Sequence, residues 1–275
     1  MTDYGITLEY LDHIAVVCLD RPERRNAFND VMWTEFDQVI KQLEDKTPRV
    51  VILTGAGDRA FSAGFDVSVD NPQVADLAGI METHDRAPVE KLIRRIRRVV
   101  DTLFDLPVPI IAALNGSAYG GGAELAVRCD MRVMDPDAVI CFSEVRLGLM
   151  PDWGGAAALP RLIGPARAAE MILAAREISA QEALSCGLIN RISSPGRALD
   201  ESIDLARMIA ANGPRAVRSA LAVIRATNDH SLAQALDLEM EKAISLITTG
   251  ECVYGISAFL SKETPEFPDS TADAT

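Results

Sequence analysis

Apolar residues recur at two different periods along the chain, and the point where one gives way to the other divides the sequence. Short runs rich in β-branched residues come first: ITLEYLD, IAVVCLD and RVVILTG, which read as strands. Between the second and third, DVMWTEFDQVIKQLED places Val31, Met32, Phe36, Val39, Ile40 and Leu43 at helical spacing. Further on, RRIRR (Arg94 to Arg98) faces away from Leu92, Ile93, Ile96, Val99, Val100 and Leu103, the pattern of a helix with one solvated side. LPVPIIAALNG reads as a proline-flanked strand ending at Gly116, and MRVMDPDAVICFSEV as two short strands about a DPD turn. Strand and helix alternate, which predicts a layered, mostly parallel α/β domain.

From Arg197 onward only helical patterns remain. ALDESIDLARMIAANG ends at Asn212-Gly213, Pro214 opens the next helix, and SLAQALDLEMEKAISLITTG gives a third. The chain therefore divides into an α/β core, residues 1–196, and a helical section, residues 197–275. Its tail, PEFPDSTADAT, is expected to fray.

At 275 residues and 48% hydrophobic, the chain can bury one large domain, or a main domain with an appendage. No apolar run approaches the roughly 18–20 residues that span a membrane. MTDYGITLEYLD has neither a basic nor an apolar leader region, so no signal peptide is expected. The five cysteines are odd in number and far apart, which predicts free thiols in a reducing cytoplasm rather than disulfides or a zinc site. A formal net charge of −13 argues against nucleic acid as a partner.

Four segments are candidates for chemistry. TGAGDRA, Thr54 to Ala60, fits G-x-G-x-x-A, but turn residues follow it instead of a helix, so it reads as a turn leaving a strand. FSAGFD, Phe61 to Asp66, is either a small-residue segment that lets backbone amides approach another group or simply a tight turn with a left-handed Gly64, and taken alone it reads as the turn. AYGGGAEL, Ala118 to Leu125, lacks the Lys or Ser/Thr of a phosphate cradle, and Glu124 would repel phosphate. Its bared amides either face an oxygen that becomes negative during reaction, or simply allow close helix–strand packing. In FSEVRLGLMPDWGG, Glu144 ends an apolar strand and Asp152 sits in a glycine-closed loop; each is either a working carboxyl or an ordinary strand-end or turn residue. The histidines, His13, His84 and His230, are scattered, which leaves a Ser/His/Asp hydrolase little to work with.

Taken in order, DRPERRNAFN, VVILTGAGDRAFSAGFD, PIIAALNGSAYGGGAELAVRCD, FSEVRLGLMPDWGG, the stretch from LPRLIG to LINRI, and AFLSKETPEF resemble the crotonase (enoyl-CoA hydratase/isomerase) superfamily over almost the whole chain. The resemblance implies a ββα spiral core with a helical C-terminal trimerisation section, assembled as a homotrimer or a dimer of trimers. It implies an acyl-CoA thioester substrate, with coenzyme A as part of that substrate and no separate cofactor or metal. The amides of Ala63 and Gly121 would form the oxyanion hole. Glu124 and Glu144 occupy the positions of the hydratases' two glutamates, twenty residues apart, which favours addition of water across a 2,3-double bond or the reverse dehydration. Glu124 would activate the water and Glu144 protonate Cα.

Asp152 stands where typical hydratases have glycine and where several isomerases place a catalytic carboxylate. An isomerase or ring-cleaving hydrolase therefore stays open, as does a non-catalytic acyl-CoA-binding protein. Trp153 is either a wall of the acyl pocket or a structural residue. Tyr254 replaces the family's usual acidic residue before Gly255, and of its terminal Lys-Arg pair only Lys262 remains for a coenzyme phosphate. The segment from Val67 to Pro88, where relatives shape the acyl pocket, has no pattern that fixes the acyl group.

Overall fold

The computed structural model describes residues 5–74, 79 and 83–269. Ten strands and ten helices are used below. In chain order they are β1 (Ile6–Leu11), β2 (Ile14–Leu19), α1 (Asp30–Asp45), β3 (Val50–Gly55), β4 (Ala60–Ser62), α2 (Ala87–Phe104), β5 (Ile110–Leu114), β6 (Ser117–Tyr119) and α3 (Gly121–Arg128). Then follow β7 (Met131–Met134), β8 (Val139–Cys141), α4 (Gly155–Ile163), α5 (Pro165–Ala174), β9 (Ile178–Ser179), α6 (Ala180–Ser185) and β10 (Arg191–Ile192). The C-terminal helices are α7 (Ala198–Ala210), α8 (Pro214–Ala226), α9 (Leu232–Thr248) and α10 (Glu251–Ser261).

Two sheets organise the chain. The larger has the order β1-β2-β3-β5-β7-β10 and the smaller β4-β6-β8-β9. The first hairpin, β1–β2, is antiparallel, and every other pair in the larger sheet is parallel. Each passage through the larger sheet is followed by a short strand in the smaller one: β3 by β4, β5 by β6, β7 by β8. This is the ββα spiral, and it brings the ends of β4, β6 and β8 side by side.

The larger sheet is apolar without interruption because both its faces are covered. Val51, Leu53, Ile110, Ala112 and Leu114 point to the core formed with α1 and α2. Val50, Ile52, Ile111, Ala113 and Val133 point the other way, onto Leu205, Ala206 and Ala210 of α7. The first helix of the C-terminal section thus shares a core with the sheet, and the change near residue 196 is a change of element type.

The sequence pattern placed α1 correctly but misjudged one side of it. Val31 is 54% exposed, whereas Trp33 is fully buried and takes the inward position. The basic face of α2 is solvated as expected: Arg94 pairs with Glu90, Arg97 with Asp101 and Arg98 with Asp37. The tail departs from expectation, at least through residue 269. Arg49 donates to the Phe267 carbonyl at 2.7 Å and to Asp269 at 2.9 Å, and His13 Nδ1 lies 3.2 Å from the same carboxylate. The Phe267 ring packs against Gly213 and Gly255. An aromatic anchor and a guanidinium hold the backbone where polar composition alone suggested fraying; residues 270–275 lie outside the described residues.

Candidate active site

Three turns meet at the C-terminal ends of the adjacent parallel strands β4, β6 and β8, where ligands are bound in open α/β sheets. The turn after β4 is Ala63-Gly64-Phe65. Ala63 N–H, expected to hold the thioester oxygen, instead donates to the Arg25 carbonyl at 2.9 Å. Gly64 N–H donates to Ser62 Oγ at 3.1 Å and Asp66 N–H to the Phe28 carbonyl at 2.9 Å. Phe65 N–H is left, with no acceptor among the described residues. The available amide at this turn is therefore that of Phe65, two residues beyond the expected one.

Gly64 adopts φ +79°, and a Cβ there would stand 2.5 Å from Gly121 N. That close approach sets the two turns against each other. Gly120 has φ +52° and leads into α3, whose first N–H, that of Gly121, has no intrahelical acceptor. A side chain on Gly121 would strike the Trp153 ring at 2.5 Å, and one on Gly122 the Ser62 carbonyl at 2.2 Å. The three glycines thus serve both purposes left open by the sequence: close packing and a bared amide.

Glu124, in the first turn of α3, is 1% exposed. Its Oε1 accepts from Asp152 N at 3.2 Å, and its Oε2 from Trp153 N and Gly155 N, both at 2.8 Å. Glu144 does not end a strand as expected. β8 stops at Cys141, Ser143 turns the backbone into the helical region, and Glu144 opens a 3-10 turn, Glu144–Leu147. Both oxygens of its carboxyl are buried with no hydrogen-bond partner among the described residues. Its Oε1 lies 3.6 Å from where a Gly120 side chain would begin, which puts it beside the glycine turn.

Burial is the largest influence on both glutamates and pushes both proton affinities up. On Glu124 the Gly155 amide pulls the other way, while the facing Glu144 and Asp152 carboxyls add to the rise. Two carboxyls so placed resist ionising together. A proton shared between the two facing carboxyls raises Glu124 and lowers Glu144, while the three amides pull Glu124 the other way and favour its charge. Asp152 joins them as a third carboxyl, its proton affinity also raised by burial.

Trp153 is 3% exposed and meets Phe28 and Trp33 edge to face, with ring centroids at 5.5 and 4.7 Å. It is a packing residue that backs Gly121 and supplies a backbone donor to Glu124. Lys262 is exposed at the left-handed end of α10, and no site carboxyl or bared amide lies on that helix. A cavity of about 420 Å³ beside Ala63 is lined by Arg25, Arg59, Ala60, Ser117 and Tyr119, two guanidiniums that sequence reasoning did not single out. A larger one, about 800 Å³ along α2, touches neither glutamate nor Asp152. Part of the Val67-to-Pro88 segment lies outside the described residues.

Bared amides beside a pair of coupled carboxyls, on a two-sheet ββα spiral, define a class of enzyme acting on a polarised carbonyl compound. The enoyl-CoA hydratase/isomerase family profile matches residues 9–270. The chain is 34% identical over 259 residues to the short-chain-enoyl-CoA hydratase of Clostridium acetobutylicum, covering 94% of this chain and 95% of that protein. It is 33% identical over 264 residues to the crotonyl-CoA hydratase of Syntrophomonas wolfei, covering 96% and 97%. The crystal structure of an enoyl-CoA hydratase from Bacillus anthracis superposes with a TM-score of 0.87 at 34% identity, over 96% of this chain and 99% of that one. The chain belongs to the enoyl-CoA hydratase/isomerase family, within the crotonase superfamily.

Proposed function

We propose that the protein is a hydro-lyase, adding water across the 2,3-double bond of an enoyl-CoA or removing it in reverse. The observation that carries this reading is the unequal pair: Glu124 held by three amides, Glu144 buried without a donor. The amides of Phe65 and Gly121 hold the thioester oxygen and stabilise the enolate as charge moves onto it. Glu124, as carboxylate, takes a proton from the water attacking Cβ, and Glu144, as acid, delivers one to Cα. The two carboxyls transfer these protons and the amides hold the oxygen, a division that needs no metal or redox cofactor, and coenzyme A arrives with the substrate. Arg25 and Arg59 offer its phosphates a cationic wall beside the Ala63 turn. All five cysteines are free thiols, which suits a cytoplasmic enzyme.

A panel of enoyl-CoA thioesters read by mass spectrometry tests this: hydration adds one water, and isomerisation leaves the mass unchanged. A second reading, a double-bond isomerase, is favoured by one observation, the third buried carboxyl at Asp152. Asp152→Asn separates the two. On the hydratase reading it keeps hydration within about tenfold of the unaltered enzyme, because a group that transfers the reacting proton contributes about 10²–10⁴. A larger loss, with isomerised product formed by the unaltered enzyme, replaces the first reading by the second.

We also propose that the active form is a trimer or a dimer of trimers. Leu232, Leu236, Met240, Ile244 and Ile247 leave an exposed apolar stripe along α9, continued by Ile256, Phe259 and Leu260 on α10. Among the described residues no single helix is long and apolar enough to cross a bilayer, and α9 and α10 reach that length and composition only as a pair bent by 71°. Copies of the chain are the occupants proposed for this surface. Ile244→Glu is expected to shift the mass in light scattering from oligomer to monomer while the fold is retained by circular dichroism; an unchanged mass would place the interface elsewhere.

A further inference from the structure

We propose that Arg128 is a positioning residue for Glu124: anchored by Asp101, it fixes the Trp153–Gly154 peptide so that the loop's amides stay on the glutamate. The inference rests on the hydration reading and assigns that site a further residue.

Arg128 stands four residues after Glu124 on α3, so the two side chains share a helix face. They grip one loop with opposite polarity. Glu124 accepts the N–H groups of Asp152, Trp153 and Gly155. Arg128 Nη1 donates to the Trp153 carbonyl at 3.4 Å. A side chain on Gly154, whose φ is +111°, would meet Arg128 Cδ at 2.8 Å, so the arginine stem lies directly under the turn. On its other side Nη1 donates to Asp101 Oδ1 of α2 at 2.6 Å, and the guanidinium lies over the Phe104 ring, 4.8 Å from its centroid. The Arg128 side chain is only 17% exposed, and Asp101 also pairs with Arg97.

The need for such a clamp follows from the loop's composition. Gly154 and Gly155 are conformationally permissive. Rotation about the backbone bonds of Gly154, which join the peptide carrying the Trp153 carbonyl to the one carrying the Gly155 N–H, would re-aim the Gly155 amide unless that carbonyl is held. Glu124 holds donors on both sides of the Trp153–Gly154 peptide but cannot hold its carbonyl. Arg128 does, and Asp101 keeps the guanidinium from swinging away. The charged groups facing Glu124 are Glu144 from the 3-10 turn and Asp152 from the loop; the one facing Arg128 is Asp101.

The test uses Arg128→Met, Arg128→Lys and Asp101→Asn in the full-length enzyme. It measures kcat and KM for enoyl-thioester hydration against pH, with hydrogen–deuterium exchange of residues 150–156 in the ligand-free protein. Arg128→Met is expected to lower kcat at least about tenfold with KM within about twofold. The acid limb of its kcat profile moves to higher pH, because a carboxylate that loses N–H donors binds its proton more tightly. Exchange at residues 152–155 quickens, and Arg128→Lys, which keeps a charged donor, restores most of kcat. Asp101→Asn shows the same changes more weakly and carries the test if Arg128→Met does not fold. Unchanged exchange together with an unmoved acid limb in the folded variants overturns the proposal, as does a kcat loss that lysine fails to rescue. If the unaltered enzyme hydrates no enoyl thioester, the hydratase reading falls, and the exchange comparison alone decides whether the clamp exists.

Discussion

Glu144→Gln is expected to reduce hydration by about 10²–10⁴ in kcat, the range for loss of a proton-transferring group, with KM little changed. The same substitution should stabilise the protein above neutral pH. Glu144 is buried with both oxygens unpartnered, so its proton affinity is raised in the folded state. In the unfolded chain a glutamate loses its proton near about pH 4.3. Between that pH and the raised folded-state value, the folded protein holds the extra proton, so stability falls as pH rises. Above the folded-state value the full cost of a buried charge is present, and glutamine removes it. The melting temperature of Glu144→Gln should therefore exceed that of the unaltered protein at pH 8 and converge with it below about pH 4. A variant that is slower but no more stable at pH 8 would show that Glu144 does not sit unpaired.

Gly64→Ala tests the amides instead of the carboxyls. At φ +79° an alanine is strained by roughly 1–2 kcal/mol. Its Cβ would also press at 2.5 Å on Gly121 N, a backbone atom that can yield only by moving the start of α3. Both proposed donors to the thioester oxygen flank that contact. The expected result is a loss of about 10²–10³ in kcat, the scale of one misplaced oxyanion donor, with a lowered melting temperature. A folded Gly64→Ala enzyme retaining full kcat would remove the Phe65–Gly121 pair from the mechanism.

What could be read from sequence follows from how far each feature reaches along the chain. The buried strands and the helical C-terminal section depend on local periodicity, and β2, β3 and α1 fell where it placed them. β4 and β6 are three residues each, too short for any period to register. The glycine segments were located correctly, yet the free amide at the first was not identifiable. That depends on which neighbouring N–H groups find acceptors, and those acceptors include Arg25 and Phe28, almost forty residues upstream. Likewise, Glu144 was found as a residue, but its lack of partners is a property of three turns meeting. Arg128 did leave a local signal, its four-residue spacing from Glu124, but the loop both residues hold lies about thirty residues on. The anchored tail gave only the ambiguous hint of Phe267 among prolines and acids.

The two groups proposed to hold the thioester belong to the main chain, whereas those proposed to act on the double bond are side chains. A point mutation cannot delete a peptide N–H except by introducing proline, but it can replace a carboxyl in one step. The thioester grip is therefore heritable through any sequence that preserves the glycine turns. The fate of the acyl chain, by contrast, can be rewritten by single substitutions at positions 124, 144 and 152, one on α3 and two on the connection between β8 and α4. An enzyme constructed this way can change its reaction without relearning how to recognise its substrate's activated end.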